Sequence, residues 1–451
     1  MNKNEILNLE IIDNGMAFEG IAKCDNKIVF VPGAIIGEKV LAKVIKDTKS
    51  YSIAKVENYE VKSKFRVEAF CEVFERCGGC NAQHIAYDMQ LLLKRNFVRN
   101  LLNKQNIKEV KINNVVGMGL PYYYRNKVQY PVRCDKDGIT KVGFYAKRSH
   151  DIVENKCCYI QNRAIDILAK EIAEELVNNG FTGYNEEDFS GDIRHILVRR
   201  GYHTKEIMIV IIVNNEELVH DTKLKQVLNN IAKKSENIKS IFINVNTNKT
   251  NEILGKNTVH IFGDEYISDY IGDYKYYISP KSFFQVNTLQ AEVLYLTLKK
   301  NLELKKEDIL FDLYSGVGSI GIFLSDSVKK VYGIEIEKEA VKMANLNMQE
   351  NNVTNAEYIA GSVEEKIEEF KKRNIRPDVI VVDPPRKGLD EKSIEYILNF
   401  EPKKIGYVSC NPATLARDLK MLQTKYDILS ITPVDMFPHT RTCGECVCLK
   451  T

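Results

Sequence analysis

The second half of this chain alternates short apolar runs with longer helical stretches, and this pattern constrains the fold most. Continuous apolar runs separated by helices are typical of parallel strands that are buried on both faces. We therefore predict an α/β domain over residues 266–451 with a doubly wound, Rossmann-like sheet, whose ligands should lie at the carboxyl ends of the strands. The runs are Ile309-Leu310-Phe311, Val331–Ile334, Val379–Val382 and Ile405–Val408.

Residues 1–59 have a different pattern, in which short β-branched runs alternate with turn signals such as Asp13-Asn14-Gly15. Several short strands at this spacing predict a small barrel of the OB type. Residues 60–265 mix helix and strand and are predicted to form a central α+β domain. We expect a helix over residues 90–102 and two strands that pair across a turn at Gly201, one of them the apolar run Ile207–Val213.

Composition places few limits on the partners of the chain. The 451 residues carry a net charge of only +3, so any surface that attracts nucleic acid must be local. The longest apolar run has far fewer than the ~20 residues that a membrane helix needs. The start of the chain, Met1-Asn2-Lys3-Asn4-Glu5, lacks the pattern of a secretion signal. We expect a cytoplasmic monomer that does not contact membranes.

A glycine-rich turn follows the first strand of the α/β domain. Gly316, Gly318 and Gly321 fit the spacing of a nucleotide-binding turn, and Glu335 ends the next strand. A nicotinamide cofactor would suit this pattern equally well. The later segment Asp383-Pro384-Pro385-Arg386 favours a methyltransferase, because enzymes that methylate planar nitrogen-containing groups often carry a related segment at this strand.

Two further residues are candidates for chemistry. Cys410, in Ser409-Cys410-Asn411-Pro412, follows the next strand, and cysteine is an intrinsically strong nucleophile. Glu445, near the end of the chain, is the candidate base. The neighbouring Cys443 and Cys446 form a C-x-x-C pair, but Cys446–Leu449 resembles a buried terminal strand, so we interpret the pair as core residues rather than as a redox or zinc site.

Together these motifs resemble the series found in bacterial RNA uracil-5 methyltransferases, and the first 59 residues resemble a TRAM domain. The resemblance implies that Gln285, Tyr314, Glu335 and Asp383 bind S-adenosylmethionine. It also implies that Cys410 adds to C6 of uracil and that Glu445 removes the C5 proton, which gives 5-methyluridine. One departure is that Cys443 stands where the family usually has histidine, in a stretch one residue longer. The motifs that carry the resemblance are Tyr124-Arg125-Asn126-Lys127, Phe283-Phe284-Gln285-Val286-Asn287, Asp312–Gly318, Asp383–Gly388 and Ser409–Pro412.

Three cysteines lie close together in the central region, at Cys71, Cys77 and Cys80. In a reducing compartment such a group indicates a metal site rather than disulfides, and both zinc and iron–sulfur clusters accept thiolates. A subgroup of the family with this spacing resembles [4Fe–4S] proteins. The resemblance implies Cys158 as the fourth ligand, with Cys157 as the alternative.

The segment Pro121–His150 carries seven Lys or Arg residues against two Asp, with aromatic residues between them. Cations that hold phosphates and aromatic rings that stack on bases predict an RNA surface. The cysteine set together with a TRAM-like module resembles enzymes that act on 23S rRNA, which we favour as the substrate. The alternatives are a tRNA uracil-5 methyltransferase, a catalytically inactive RNA-binding protein and, more distantly, an NAD-dependent oxidoreductase.

Overall fold

The computed structural model describes residues 1–450, which fold around three main β-sheets. The N-terminal sheet has the order β1-β5-β6-β4-β3-β2 and closes into a barrel. Strand β1 pairs with β5 at one edge, and the chain then crosses to the other edge, where Ile12 N–H donates to Ile21 C=O at 2.8 Å. The predicted barrel is thus confirmed. Its strands are β1 (Ile6–Glu10), β2 (Asp13–Asn14), β3 (Gly20–Cys24), β4 (Lys27–Val31), β5 (Lys39–Asp47) and β6 (Tyr51–Val61).

The central region is built on a six-stranded sheet of order β14-β13-β12-β11-β7-β8, in which only β12 and β13 are parallel neighbours. The predicted helix and the pairing across Gly201 are both confirmed. Its elements are α1 (Tyr87–Lys104), β7 (Lys127–Cys134), β8 (Thr140–Val142), β9 (Phe144–Tyr145), β10 (Ile152–Val153), α2 (Arg163–Asn178), β11 (Ile193–Arg200), β12 (Ile207–Val213), α3 (Thr222–Ala232), β13 (Ile238–Val245) and β14 (Asn257–Gly263).

Both faces of the central sheet are covered, which explains why all seven residues of β12 are buried and apolar. Helices α2 and α3 pack on one face, where Ile209 and Ile211 lie. The opposite face, with Met208 and Val210, shares its core with the C-terminal region. The central sheet and the C-terminal region are therefore joined by a continuous apolar core rather than by a polar interface.

The C-terminal sheet has the order β19-β18-β17-β20-β21-β23-β22, and β23 runs in the direction opposite to the other six strands. The four apolar runs form β17, β18, β20 and β21, as predicted. The elements are β15 (Ile267–Ile271), β16 (Tyr274–Ile278), α4 (Thr288–Leu302), β17 (Ile309–Leu313), α5 (Ser319–Leu324), β18 (Lys330–Glu335), α6 (Lys338–Glu350), β19 (Ala356–Ala360), α7 (Val363–Lys372), β20 (Val379–Val382), α8 (Glu391–Phe400), β21 (Lys404–Ser409), α9 (Pro412–Leu422), β22 (Asp427–Val434) and β23 (Gly444–Lys450).

Helices cover both faces of this sheet, so the doubly wound arrangement is present. Residues of α4, α5 and α6 share one core with the sheet, while α1, α7, α8 and α9 contribute to the other. The division of the chain at residues 59 and 265 stays a prediction. Within residues 1–450, no helix is long and apolar enough to cross a membrane.

A buried ion pair fastens the barrel to the chain that follows it. The Glu38 carboxylate is fully buried and accepts hydrogen bonds from Arg66 Nε at 2.6 Å and Arg66 Nη2 at 2.8 Å. The same carboxylate accepts the backbone N–H of Ile35 at 2.8 Å. Removing one partner of such a pair leaves a charge in a poorly solvated place, which is far more costly than replacing both.

We expect the substitution Arg66→Met to destabilise the barrel by about 3 kcal/mol, because it leaves Glu38 buried without its cation. Native-state hydrogen exchange of the β4 and β5 amides measures this loss. The control is Lys27→Met, which removes a surface pair with Asp47 and should change the exchange little. Equal effects of the two substitutions would contradict the conclusion that the buried Arg66–Glu38 pair stabilises the barrel more than a surface pair does.

Candidate active site and cysteine pocket

The glycine-rich turn after β17 has the backbone that a closely bound ligand needs. Tyr314, Gly316 and Gly318 all have positive φ angles, of 63°, 54° and 78°. Glu335, at the end of β18, accepts the N–H of Gly316 at 3.0 Å. The turn and this carboxylate therefore lie together at the carboxyl edge of the sheet, as predicted.

Carboxyl groups are concentrated around this turn. Asp312 accepts the N–H of Gly321 at 2.9 Å through one oxygen, and its other oxygen has no partner in the described part of the chain. Burial, with smaller contributions from the charges of Asp383 and Glu335, raises the pKa of Asp312 to about 8, although the Gly321 N–H opposes the shift. Burial alone raises the pKa of Asp383 to about 7. A positively charged ligand would relieve this repulsion, whereas an anionic pyrophosphate would not.

The other predicted cofactor residues lie beside this acidic turn. The Tyr314 hydroxyl shares a 2.8 Å hydrogen bond with Ser393, which holds the ring over the end of β17. Gln285 lies in the segment before α4, and its backbone carbonyl accepts the Asn126 side-chain amide at 2.9 Å. The structure thus places Tyr314, Glu335 and Asp383 at one edge of the sheet, and Gln285 and Asp383 both act on the buried Tyr295 of α4.

Cys410 lies in the turn between β21 and α9. Asn411 caps α9 by accepting the N–H of Ala413 at 3.2 Å, and its side-chain amide donates to the Arg386 carbonyl at 2.9 Å. The loop that follows Asp383 is therefore fastened to the turn that carries Cys410. Burial raises the pKa of the Cys410 thiol, the charge of Asp383 raises it further, and Arg386 opposes both by lowering it.

Glu445 lies on β23, where it is the antiparallel partner of Ser409, the residue before Cys410. Its side chain is fully buried, and neither carboxylate oxygen has a hydrogen-bond partner in the described structure. Burial raises the pKa of Glu445 well above its usual value, while the charge of Lys94 lowers it. Such an unpartnered carboxyl beside a nucleophile suits a base that acts when a substrate arrives.

A cavity of about 300 Å³ lies beside Glu445. Helix α1 contributes one wall through Lys94 and Phe97, and the barrel contributes another through its Gly15–Phe18 turn. Arg441 lines it as well. The N-terminal barrel therefore shapes the surroundings of the candidate base directly.

The chain leading to Glu445 is held by one face of helix α1, on which Tyr87, Gln90 and Lys94 lie. Lys94 Nζ donates to Asp435 Oδ1 at 2.5 Å and to the Thr442 carbonyl at 3.0 Å. The Gln90 side chain bonds His439 through both its amide nitrogen and its oxygen, at 3.1 and 3.2 Å. We did not predict these roles from the sequence, although polar residues spaced i, i+3 and i+7 beside the apolar positions of an amphipathic helix were a signal for them.

The cysteine at the position where histidine was expected is part of the core. Cys443 is 4% exposed, and its thiol donates to the Val434 carbonyl at 3.2 Å. Cys446 is fully buried on β23. The interpretation of both as core residues is confirmed, and of the two only Cys446 lies on the terminal strand, which begins at Gly444.

The four predicted cluster ligands line a single cavity of about 350 Å³. Cys71, Cys77, Cys80 and Cys158 are among its lining residues, and Cys157 is not. Burial raises the pKa of Cys80 and Cys158 to about 12. Within residues 1–450, no three potential ligands converge closely enough to hold a single metal ion.

Backbone N–H groups point at these thiols. Gly79 N–H donates to Cys77 Sγ at 3.4 Å, and the N–H groups of Ile160 and Gln161 lower the pKa of Cys158. Hydrogen bonds to sulfur stabilise thiolates and are one of the features that tune protein-bound iron–sulfur clusters. The pocket therefore has the donor set and the surrounding N–H groups that such a cluster needs.

The predicted RNA surface over residues 121–150 is only partly exposed. Tyr124 and Tyr130 are core residues, and buried Arg133 pairs with Glu186 at 2.8 Å. Exposed cations remain at Lys147 and Arg148. The count of positive charges overstated the surface because a count does not report burial.

Comparison with known proteins gives the family. The profile described as tRNA (Uracil-5-)-methyltransferase matches residues 86–451, and the TRAM domain profile matches residues 3–56. Proteins named uncharacterized RNA methyltransferases from Clostridium tetani and Clostridium acetobutylicum are 43% and 42% identical to this chain. These matches cover 98% and 100% of this chain and 95% and 98% of those proteins. The chain belongs to the RNA uracil-5 methyltransferase family.

A solved structure of this family has the same architecture throughout. It is the Pyrococcus abyssi tRNA (uracil-54, C5)-methyltransferase in complex with S-adenosyl-L-homocysteine, which is 28% identical with a TM-score of 0.77. The match covers 98% of this chain and 100% of that chain. The predictions of a TRAM domain and of an S-adenosylmethionine-dependent RNA methyltransferase are thereby confirmed. The roles of the individual residues stay predictions.

We expect Arg386→Met to raise the pKa of Cys410 in the methyltransferase, because the guanidinium stabilises the thiolate. Alkylation by iodoacetamide requires the thiolate, so its rate should rise only at higher pH in the variant. Mass spectrometry of the Cys410 peptide across a pH series measures this shift. Lys387→Met, which removes the adjacent exposed cation, is the control and should leave the profile unchanged. A downward or absent shift in Arg386→Met would contradict the role of the guanidinium.

Proposed function

We propose that this enzyme methylates C5 of a uridine in 23S rRNA, with Cys410 as nucleophile and Glu445 as base. The observation that carries the mechanism is the pairing of β21 with β23, which sets Glu445 opposite the residue before Cys410. A ring bound at the end of β21 would lie between a thiol and a buried carboxyl. Both lie beside the acidic turn proposed for the methyl donor.

The first half of the reaction makes the ring nucleophilic. The Cys410 thiolate forms a bond to C6 of uracil, and the electron pair of the C5–C6 double bond moves to form an enolate. C5 then attacks the methyl group of S-adenosylmethionine, whose carbon–sulfur bond breaks to release S-adenosylhomocysteine. Arg386 supports this step because its charge lowers the pKa of the thiol.

The second half restores the double bond. The Glu445 carboxylate takes the proton from C5, and the electron pair expels Cys410 from C6 as a thiolate. Lys94 lowers the pKa of Glu445 and so favours the ionised form that can accept a proton. Lys94 cannot turn away easily, because its ammonium group donates to Asp435 and to two backbone carbonyls.

For the cofactor, the acidic turn supports a cationic donor. S-adenosylmethionine carries a sulfonium and an ammonium group, and three carboxyl groups surround the turn. We propose that Glu335 binds the ribose hydroxyls and that Asp383, Tyr314 and Gln285 bind the rest of the molecule. The raised pKa values of Asp312 and Asp383 should fall when the cation binds.

The choice of 23S rRNA rests on the resemblance of the cysteine set and the TRAM-like module to ribosomal RNA enzymes. The second candidate is a tRNA uridine. It is favoured by the full-length match to a tRNA (uracil-54, C5)-methyltransferase of Pyrococcus abyssi. In either RNA, the target base must leave the helical stack to reach Cys410, because this residue is recessed at the end of β21.

Nucleoside mass spectrometry tests the activity and the substrate. We expect anaerobically purified enzyme with S-adenosylmethionine to form 5-methyluridine in unmodified 23S rRNA, and Cys410→Ala to form none. Product in tRNA alone would overturn the substrate assignment and leave the chemistry intact. RNA binding without product on either RNA would indicate a binding protein.

The variant Glu445→Gln separates the two halves of the reaction within the same experiment. It should still transfer one methyl group and then retain the RNA covalently, because the C5 proton has no acceptor. Turnover should fall by at least ~100-fold, and a denaturation-resistant protein–RNA complex should accumulate. Normal turnover in this variant would contradict the assignment of the base.

We further propose that Cys71, Cys77, Cys80 and Cys158 hold a [4Fe–4S] cluster. Four thiols around one cavity support a cluster, which spaces its ligands more widely than a single ion does. Such a cluster would fasten the loop of Cys71–Cys80 to the segment of Cys158, and we assign it no step in the reaction. Cys158 is preferred to Cys157 because it lines the cavity with the other three.

Iron and sulfide analysis tests this ligand set. We expect anaerobically purified protein to contain about four irons and four sulfides per chain. Cys158→Ser should lose most of both together with the visible absorbance, whereas the adjacent control Cys157→Ser should retain them. The reverse result would make Cys157 the ligand, and zinc without sulfide in the native protein would overturn the cluster.

A further inference from the structure

A narrow pocket, with about 230 Å³ of empty space when its opening to solvent is counted, lies between the central sheet and the C-terminal region, beside the segment that carries Gln285. Three cationic residues, Lys127, Arg199 and Arg200, line it together with Asn126, and no Asp or Glu does. The remaining lining side chains are apolar, and Phe284 is one of them. Among the described residues, the lining of the cavity is therefore a concentration of positive charge with no carboxylate in the lining itself.

Two of these cations are forced together by the sheet. Lys127 and Arg199 are direct partners in the antiparallel pairing of β7 with β11. Like charges at opposed positions of a sheet destabilise it. Arg199 is 7% exposed, and its Nε has no hydrogen-bond partner in the described part of the chain. In the described residues, no hydrogen bond or ion pair of either side chain offsets the repulsion between Lys127 and Arg199.

The surrounding groups do not relieve this charge. Asp269 is the carboxylate that acts on Arg200, but it already accepts the N–H groups of Tyr202 and His203, each at 2.8 Å. Burial lowers the pKa of Arg199 to about 10. Burial and the charges of Arg199 and Arg125 lower the pKa of Lys127 to about 8. Each of these effects would be reversed by an anion bound in the cavity.

We propose that this cavity binds a phosphate group of the substrate RNA, with Arg199 and Lys127 as its principal contacts. The planar guanidinium of arginine presents several donors to phosphate oxygens, and lysine adds a point charge. The inference rests on the proposed RNA substrate. It extends that proposal by adding Arg199, which lies outside the RNA surface predicted over residues 121–150, as the partner of Lys127 in a backbone contact.

The neighbourhood of the cavity favours a polynucleotide over a free anion. Phe283 precedes the lining residue Phe284, and 68% of Phe283 is exposed. Proteins that bind single strands combine cations for the backbone with exposed aromatic rings on which bases stack, and Phe283 is such a ring next in sequence to the cavity lining. Asn126 also donates to the Gln285 carbonyl, so the phosphate would lie close to the segment proposed to contact the methyl donor.

Arg199→Met separates this binding role from a structural one. The RNA affinity of this variant, measured between 50 and 200 mM salt, should be weaker than that of the wild type by about tenfold or more. The dependence of log K on log salt should become shallower by about 0.7 for the lost phosphate contact. The melting temperature without RNA should stay the same or rise, because the unfavourable pair with Lys127 is gone.

The matched control is Arg194→Met on the same strand. Arg194 is also buried, but its Nη1 donates to the carbonyls of Asn246 and Asn248 at 2.7 and 2.8 Å. This variant should lower the melting temperature and leave the salt dependence unchanged. Arg199→Lys should restore part of the slope, and Lys127→Met replaces Arg199→Met if the latter does not fold.

Unchanged RNA affinity and salt slope in Arg199→Met would overturn the inference. So would weaker binding of S-adenosylmethionine with normal RNA binding, because the anion would then be the carboxylate of the methyl donor. Wild-type enzyme measured in parallel tests the proposed function separately. If the wild type neither binds nor methylates the RNA, the proposed function fails first. If it does both and the variant matches it, only the phosphate site fails.

Discussion

The buried ion pair between Lys94 and Asp435 is the interaction on which the geometry of the active site depends. It joins helix α1 to the chain between β22 and β23, across 341 residues of sequence. The ammonium of Lys94 also donates to the carbonyls of Phe437 and Thr442, so it fixes both ends of this segment. A buried pair of this kind is stable only when its remaining donors and acceptors are satisfied, and here they are. Glu445 lies three residues beyond Thr442, so its position depends on how this segment is held.

Two regions of opposite charge lie on either side of the Phe283–Gln285 segment. On one side, burial raises the pKa values of Asp312 and Asp383, and neighbouring carboxylates add to the shift of Asp312. On the other, burial lowers the pKa values of Lys127 and Arg199, and neighbouring cations add to the shift of Lys127. Each region is unfavourable in the protein alone and complements a ligand of the opposite sign. A cationic methyl donor and an anionic polynucleotide would therefore relieve both without competing for the same groups.

The sequence predicted the strands of the α/β domain well because continuous apolar runs report burial on both faces of a sheet. It also predicted which residues meet at the carboxyl edge, since Tyr314, Glu335, Asp383 and Cys410 each end a strand. It could not predict contacts that join distant segments. The bonds between Gln90 and His439 span 349 residues, and although the spacing of polar residues on α1 marks Gln90, nothing local marks His439 as its partner. The predicted RNA surface was overstated for a related reason, because Tyr130 is an aromatic residue whose burial depends on α2, which follows it in the chain.

Hydrogen bonds connect the loop of the cysteine pocket to the segment that leads to Glu445, although the two are distant in sequence. The N–H groups of Asn81 and Ala82, directly after Cys80, both donate to the His439 carbonyl, at 2.9 and 3.1 Å. His439 has a φ of 63°, which is unfavourable for a residue with a side chain and persists only because its surroundings hold it. Whatever orders the loop of Cys71–Cys80 therefore also orders the chain that leads to Glu445. A cluster in that pocket would act on catalysis through position, without exchanging an electron.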